Sequence, residues 1–246
     1  MKKIFFNFSV FLIFSILLSC SNKHWRDRSR ESSGIGPKVS ELNEDIVQIY
    51  YARAVSWRGF FGIHPWVSWK KVSDSEFTVA QVTAWNLKWG GGQSTVSVKK
   101  DLPDRIWYDN VPTIMYEARG EKASKIILQL EKLIPQYPYQ KVYRVWPGPN
   151  SNTFVAYLIR EIDEFDLELP AHAVGKDYLG PRDYFFAPTA SETGFQFSIF
   201  GLLGFSLGLA EGIEVNLLGL NFGVDFWTPA LKLPSLGRVG FADQAL

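Results

Sequence analysis

From Phe195 to Leu209 the odd positions read Phe, Phe, Ile, Gly, Leu, Phe, Leu, Leu. Even positions carry Gln196, Ser198, Gly204, Ser206 and Gly208, with Phe200 and Leu202 interrupting the alternation. A period of two puts successive side chains on opposite faces, so this mainly period-two signal predicts strand rather than a membrane helix. Glu211-Gly212 supplies a turn, and Ile213 to Phe226 returns as a second β segment whose apolar phase shifts near Leu217-Leu218. Such a shift implies a bulge or bend. The glycines of residues 191–246 permit a β-hairpin extension to wrap closely over another sheet. Ordinary packing on the main domain is expected there in preference to contact with a membrane.

The opposite end of the chain has a different character. Lys2 and Lys3 precede an apolar run from Ile4 to Leu18, and Ser19 stands before Cys20, the single cysteine. This layout is that of a secretory signal peptide over 1–19, too short for a spanning helix. Its end resembles the lipobox of bacterial lipoproteins, which implies diacylation of Cys20. Acyl chains anchor because each buried CH₂ contributes about 0.8 kcal/mol. Ser21 at the following position implies sorting to the outer membrane, facing the periplasm. With Cys20 lipidated no thiol remains, so disulfides, thiolate zinc sites and a cysteine nucleophile are excluded. Removing Lys2 and Lys3 from the 26 Lys and Arg leaves 24 against 25 Asp and Glu, a net charge of −1. That balance gives no electrostatic basis for nucleic acid binding.

Residues 20–44 are polar and read as a flexible tether, and the folded part begins near Asp45. Ile46–Tyr51, Val67–Val72 and Phe77–Trp85 are β-rich, and Trp89–Gln93 is a loop without the Lys-Ser/Thr of a phosphate cradle. Ile126, Ile127, Leu130, Leu133 and Ile134 fall at helical spacing and stop at Pro135. A short β-like run over 141–146 leads into Pro147-Gly148-Pro149-Asn150-Ser151-Asn152, after which Phe154, Tyr157, Leu158 and Ile162 predict a second helix. Glu161, Asp163, Glu164 and Asp166 at its far end read as a solvated face.

Two stretches could carry chemistry. One is Gly62-Ile63-His64-Pro65-Trp66-Val67, and the other runs from Tyr143 to Phe154. The second puts the Ser151 hydroxyl where a turn meets a helix N-terminus, whose free N–H groups and dipole favour an anion. A serine needs a neighbouring base, and His64 is the histidine placed to supply one, at the start of a strand. The plainer reading makes Ser151 or Asn152 a helix cap, His64 a hydrogen-bonded structural residue, and His172 structural or at the surface. No ligand spacing suggests a metal, and no cofactor is implied.

The Gly-Ile-His-Pro-Trp, Trp146-to-Phe154 and Gly175-Lys176-Asp177-Tyr178 stretches resemble an uncharacterised bacterial domain-of-unknown-function family, number 3750, from about Ile46 into the C-terminal region. The order His-x-Trp on an early strand, then Asn-nucleophile-x-x-Phe opening a helix, is more distantly similar to circularly permuted papain-like enzymes. These include the lecithin retinol acyltransferase group and permuted NlpC-type peptidases. The likeness implies an α+β fold, a permuted papain-like domain over 45–190. It matches Ser151 to their catalytic cysteine and His64 to their histidine, with Gln81 or Thr83 as third polar residue. Serine in place of cysteine is a departure that weakens the nucleophile.

Two functions follow as expectations. One is an envelope hydrolase or acyl/amide transferase acting on cell-wall peptide or lipid ester. Ser151, His64 and Gln81 would be catalytic there, with Trp66, Tyr143, Trp146, Asn150 and Asn152 around the substrate. The other is a non-catalytic envelope lipoprotein that binds glycan, lipid or a partner protein, or serves a structural role. In both, the membrane is reached through the lipid anchor.

Overall fold

The computed structural model describes residues 23–243 apart from 90, 181, 182 and 184. The expected signal peptide, Cys20 and Ser21 lie outside the described residues. The first half of the chain builds β1 (Ile46–Arg53), α1 (Arg58–Phe61), β2 (Ile63–Lys70), β3 (Thr78–Val82), α2 (Ala84–Trp89), β4 (Val96–Lys100) and β5 (Thr113–Arg119). Its five strands form one antiparallel sheet in the order β4-β3-β2-β1-β5. The β-branched and aromatic residues of Ile46–Tyr51 suit β1 to the sheet interior, between β2 and β5, where both faces are covered.

Helices α3 (Gly120–Leu133) and α4 (Ser151–Glu161) cover one face. Ala123, Ile126, Ile127 and Leu130 of α3 and Phe154, Val155, Leu158 and Ile159 of α4 meet Val47, Ile49, Val67, Trp69, Ala80 and Val82. The other face buries Tyr50, Ala52, Trp66 and Val79 beneath Trp107 and Ile114. The fold is therefore mixed α+β, as the two periodicities imply.

Three local expectations are corrected. The β-like run over 141–146 forms no strand, and the β-rich stretch to Trp85 ends at Val82, where Thr83 caps α2 by accepting the Asn86 N–H at 3.3 Å. Ser32, Ser33 and Gly36 do not hang free in a tether. They hydrogen-bond the buried Asp104, with the Ser32 hydroxyl 2.8 Å from Oδ2.

A fourth correction is the largest. The expected two-segment hairpin is a seven-stranded antiparallel meander, β6 (Phe186–Pro188), β7 (Phe195–Ile199), β8 (Leu203–Gly208), β9 (Gly212–Leu217), β10 (Leu220–Asp225), β11 (Ala230–Leu233) and β12 (Gly237–Gly240). Phe200–Leu202 and Leu218-Gly219, which interrupt the alternation, are turns, so of the two alternatives near Leu217-Leu218 the chain takes the bend and not the bulge. The sheet also faces the reverse of the usual way. Gln196, Ser198, Ser206, Glu214, Asn216, Asn221 and Lys232 are buried, while Phe195, Phe205, Leu207, Ile213, Val215 and Phe222 are exposed.

The inward polar residues are matched by the loop after α4. The Lys176 ammonium lies 2.5 Å from Glu214 and 3.2 Å from Glu168, and Lys232 bonds Glu168 as well. Asn216 and Asn221 donate to Asp177 at 2.9 and 2.7 Å. Buried charge is tolerated only when paired and hydrogen-bonded, and here each ion has partners.

Candidate functional site

The Trp-Pro-Gly-Pro-Asn-Ser-Asn-Thr-Phe run builds the start of α4. Trp146–Pro147 and Gly148–Pro149 are cis peptides. Asn150, not Ser151 or Asn152, is the N-cap, its Oδ1 accepting the N–H groups of Asn152 at 2.9 Å and Thr153 at 3.2 Å. Thr153 Oγ1 accepts the Asn150 N–H in return, which closes a capping box. The Asn150 carboxamide donates to Val145 and Val174 carbonyls, and Asn152 Nδ2 donates to Val174 and, at 3.3 Å, to Ile63 at the start of β2. Gly175 passes so close that a Cβ would lie 2.6 Å from Asn150 Nδ2, and its φ of +98° is one that glycine adopts freely. Ser151 becomes the first helical residue, and its N–H is the first-turn donor that Asn150 leaves uncapped.

His64 stands on β2. Its Nε2 lies 3.0 Å from Gln81 Oε1, and its ring stacks on Trp107 with centroids 3.8 Å apart. Because the Gln81 oxygen only accepts, the proton sits on Nε2 and Nδ1 keeps its lone pair. Gln81 is thus the partner of His64, whereas Thr83 is occupied at α2. Burial lowers the His64 pKa to about 4. Strand alternation directs His64 and Trp66 to the Trp107 side, away from the face that α4 covers. Among the described residues no hydrogen bond joins His64 to Ser151. The hydroxyl beside Ser151 is that of Tyr143, whose pKa burial raises, with Arg58 and Ser151 pulling it back.

Both residues nevertheless open onto one cavity of about 550 Å³, which wraps the end of β2. Tyr143, Trp146, Asn150 and Asn152 line it with them. Trp66 does not. It is buried, stacked on Tyr50 and donating its indole N–H to the Pro103 carbonyl at 2.7 Å. Most of the wall carries no signal in the sequence; Trp57, Phe61, Trp85, Trp107, Leu218 and Leu220 supply it from four separate segments. Among the described residues, Arg58 and Lys88 are the charged ones of the lining, and no carboxylate faces it.

His172 lies outside this cavity, edge-on to Tyr51 and buried, and burial lowers its pKa to about 4. Both histidines are neutral in the fold and titrate near 6.5 once unfolded. The unfolded chain therefore binds more protons as pH falls, and stability drops between about pH 6.5 and 4. Each contributes roughly 3 kcal/mol over that window. Urea unfolding at pH 7 and 5 should show the drop in wild type and a smaller one in His172→Gln. Equal drops in the two would count against a neutral buried His172.

The family described as "Protein of unknown function (DUF3750)" matches residues 44–178, more than half of the chain, and the chain belongs to that family. The matched segment holds His64, Gln81 and the whole Tyr143–Phe154 run, and it ends before the second sheet. No curated protein and no solved structure matches the chain.

Proposed function

We propose that this DUF3750 protein is an envelope lipoprotein, anchored through Cys20, that binds an anionic amphiphile in the cavity around Ser151. The observation that carries the reading is the lining. Aromatic and aliphatic walls suit an acyl chain, and two cations without a carboxylate suit a carboxylate or phosphate head.

The test is titration with cis-parinaric acid, a fluorescent fatty acid. Wild type should bind it, Trp146→Ala should weaken binding about tenfold, and Arg58→Gln should weaken the acid while sparing the matching alcohol. A tenfold loss corresponds to about 1.4 kcal/mol. No binding, or equal binding of acid and alcohol by wild type, would overturn the reading.

The His64–Gln81 pair favours a second reading, a permuted papain-like hydrolase or acyltransferase on lipid ester or cell-wall peptide. Ser151 Oγ would attack the acyl carbon, His64 Nδ1 would take its proton, the Ser151 N–H would hold the oxyanion, and the scissile ester or amide bond would break as His64 returns that proton to the departing alcohol or amine. This requires the His64 ring to leave Trp107 and turn toward α4. A fluorophosphonate that labels wild type but not Ser151→Ala or His64→Ala would establish it.

A further inference from the structure

Register across the second sheet aligns its outward-facing residues into rows, exposed apart from the half-buried Phe197, Ile199 and Leu220. One runs Phe186, Phe197, Phe205, Val215, Phe222, and a second runs Phe195, Leu207, Ile213, Val224, Leu231, Val239. A third joins Ile199, Leu203, Leu217 and Leu220. These rows contain no charged residue and no side-chain hydrogen-bonding group. Six strand spacings make the face about 30 Å wide, on the order of 500 Å² in projection, the scale at which an apolar patch marks an interaction site. The hairpin tips continue it. Phe200, Leu218, Phe226, Trp227 and Leu236 are all exposed, at positions that ordinarily take Gly, Asn, Asp or Ser.

We infer that this face rests in the acyl-chain layer of a phospholipid leaflet. A protein partner would be oriented by about one hydrogen bond per 100–200 Å² of interface, and the rows supply no side chain to make them. Hydrocarbon asks for none. The strands, at most six residues long, fall short of the 9–11 that cross a bilayer, so the sheet lies in one leaflet rather than through it.

The N-terminal segment leads to the same place. Arg28 lines one cleft with Ser235 and Leu236 at the β11–β12 turn. The eight residues back to Cys20 reach at most about 28 Å. Along them stand the exposed Trp25 and Arg26, an aromatic and a cation of the kind that settle at an anionic lipid surface. At the other side of the turns, Leu218 and Leu220 belong both to the face and to the wall of the Ser151 cavity, which opens a path from leaflet to cavity. The position of the anchor rests on the reading of Cys20 as lipidated, whereas the composition of the face does not.

The mature full-length chain, reconstituted in phosphatidylethanolamine/phosphatidylglycerol vesicles, tests this. Leu207→Cys and Phe222→Cys, on the face, and Glu121→Cys, on α3, each receive an environment-sensitive fluorophore. Lipids brominated along the acyl chain should quench positions 207 and 222 severalfold more than position 121. Equal quenching at all three positions would overturn the inference. So would unquenched labels at 207 and 222 with a doubled sedimenting mass, because a second copy would then cover the face. An acyl-free intact mass would remove the anchor alone, a failure distinct from that of the sheet.

Discussion

Lys176→Met is expected to destabilise the protein by about 3–5 kcal/mol, the range for breaking a buried ion pair from one side. Lys176 lies between Glu214 and Glu168; it and Glu214 are buried, and Glu168 is half-buried. Removing the ammonium leaves two carboxylates to share Lys232, which is 3.6 Å from Glu214. Burial already pushes the Glu214 pKa up, to about 7, against the pull of Lys176. In the variant it rises further, so folded Glu214 takes up a proton that the unfolded chain binds only near pH 4.5. The deficit relative to wild type should therefore narrow as pH falls from 7 to 5. Thermal unfolding should show a midpoint about 10 °C lower at pH 7. Adding Glu214→Gln should recover part of the loss, because the double variant no longer strands that charge. A loss under about 1 kcal/mol would mean that water reaches this network.

This network explains what the sequence did and did not disclose. The alternation over 195–226 announced strands, and the helical spacing of 126–134 and 154–162 announced α3 and α4, because those signals are local. Which face of the second sheet turns inward is not local. It depends on Glu168, Lys176 and Asp177, far back in the chain, being present to satisfy Glu214, Lys232, Asn216 and Asn221. An alternation reads the same with either face buried, and the expectation that apolar residues face the core selected the wrong one. The site divides in the same way. Asn150, Ser151 and Asn152 were marked by the unusual proline-rich run before a helix, and His64 with Gln81 by a resemblance. Trp57, Trp85 and Trp107 carry no pattern, because the cavity wall is assembled only when loops from separate strands converge.

Asn150→Ala is the second large effect expected. Loss of an N-cap costs about 0.5–2 kcal/mol, and here the same carboxamide also serves two backbone carbonyls. Val174 keeps Asn152 as a donor, while the carbonyl of the exposed Val145 exchanges the carboxamide for water, adding about 0.5–1.5 kcal/mol for the lost hydrogen bond. A total of about 1–3 kcal/mol should appear as a lower urea midpoint at unchanged slope. Ser151→Ala, one position along, removes neither the cap nor a carbonyl partner and should cost under about 1 kcal/mol. The contrast separates two roles that the sequence leaves merged in one run. Asn150 fixes the geometry of the helix start, while Ser151 contributes a hydroxyl to the cavity without holding it together. Asn150→Ala should accordingly weaken cis-parinaric acid binding as well, measured at a temperature where the variant is fully folded, because Val145 lines the same cavity. Equal destabilisation by the two variants would instead place the cap at Ser151 and remove the reason to regard its hydroxyl as free for a ligand.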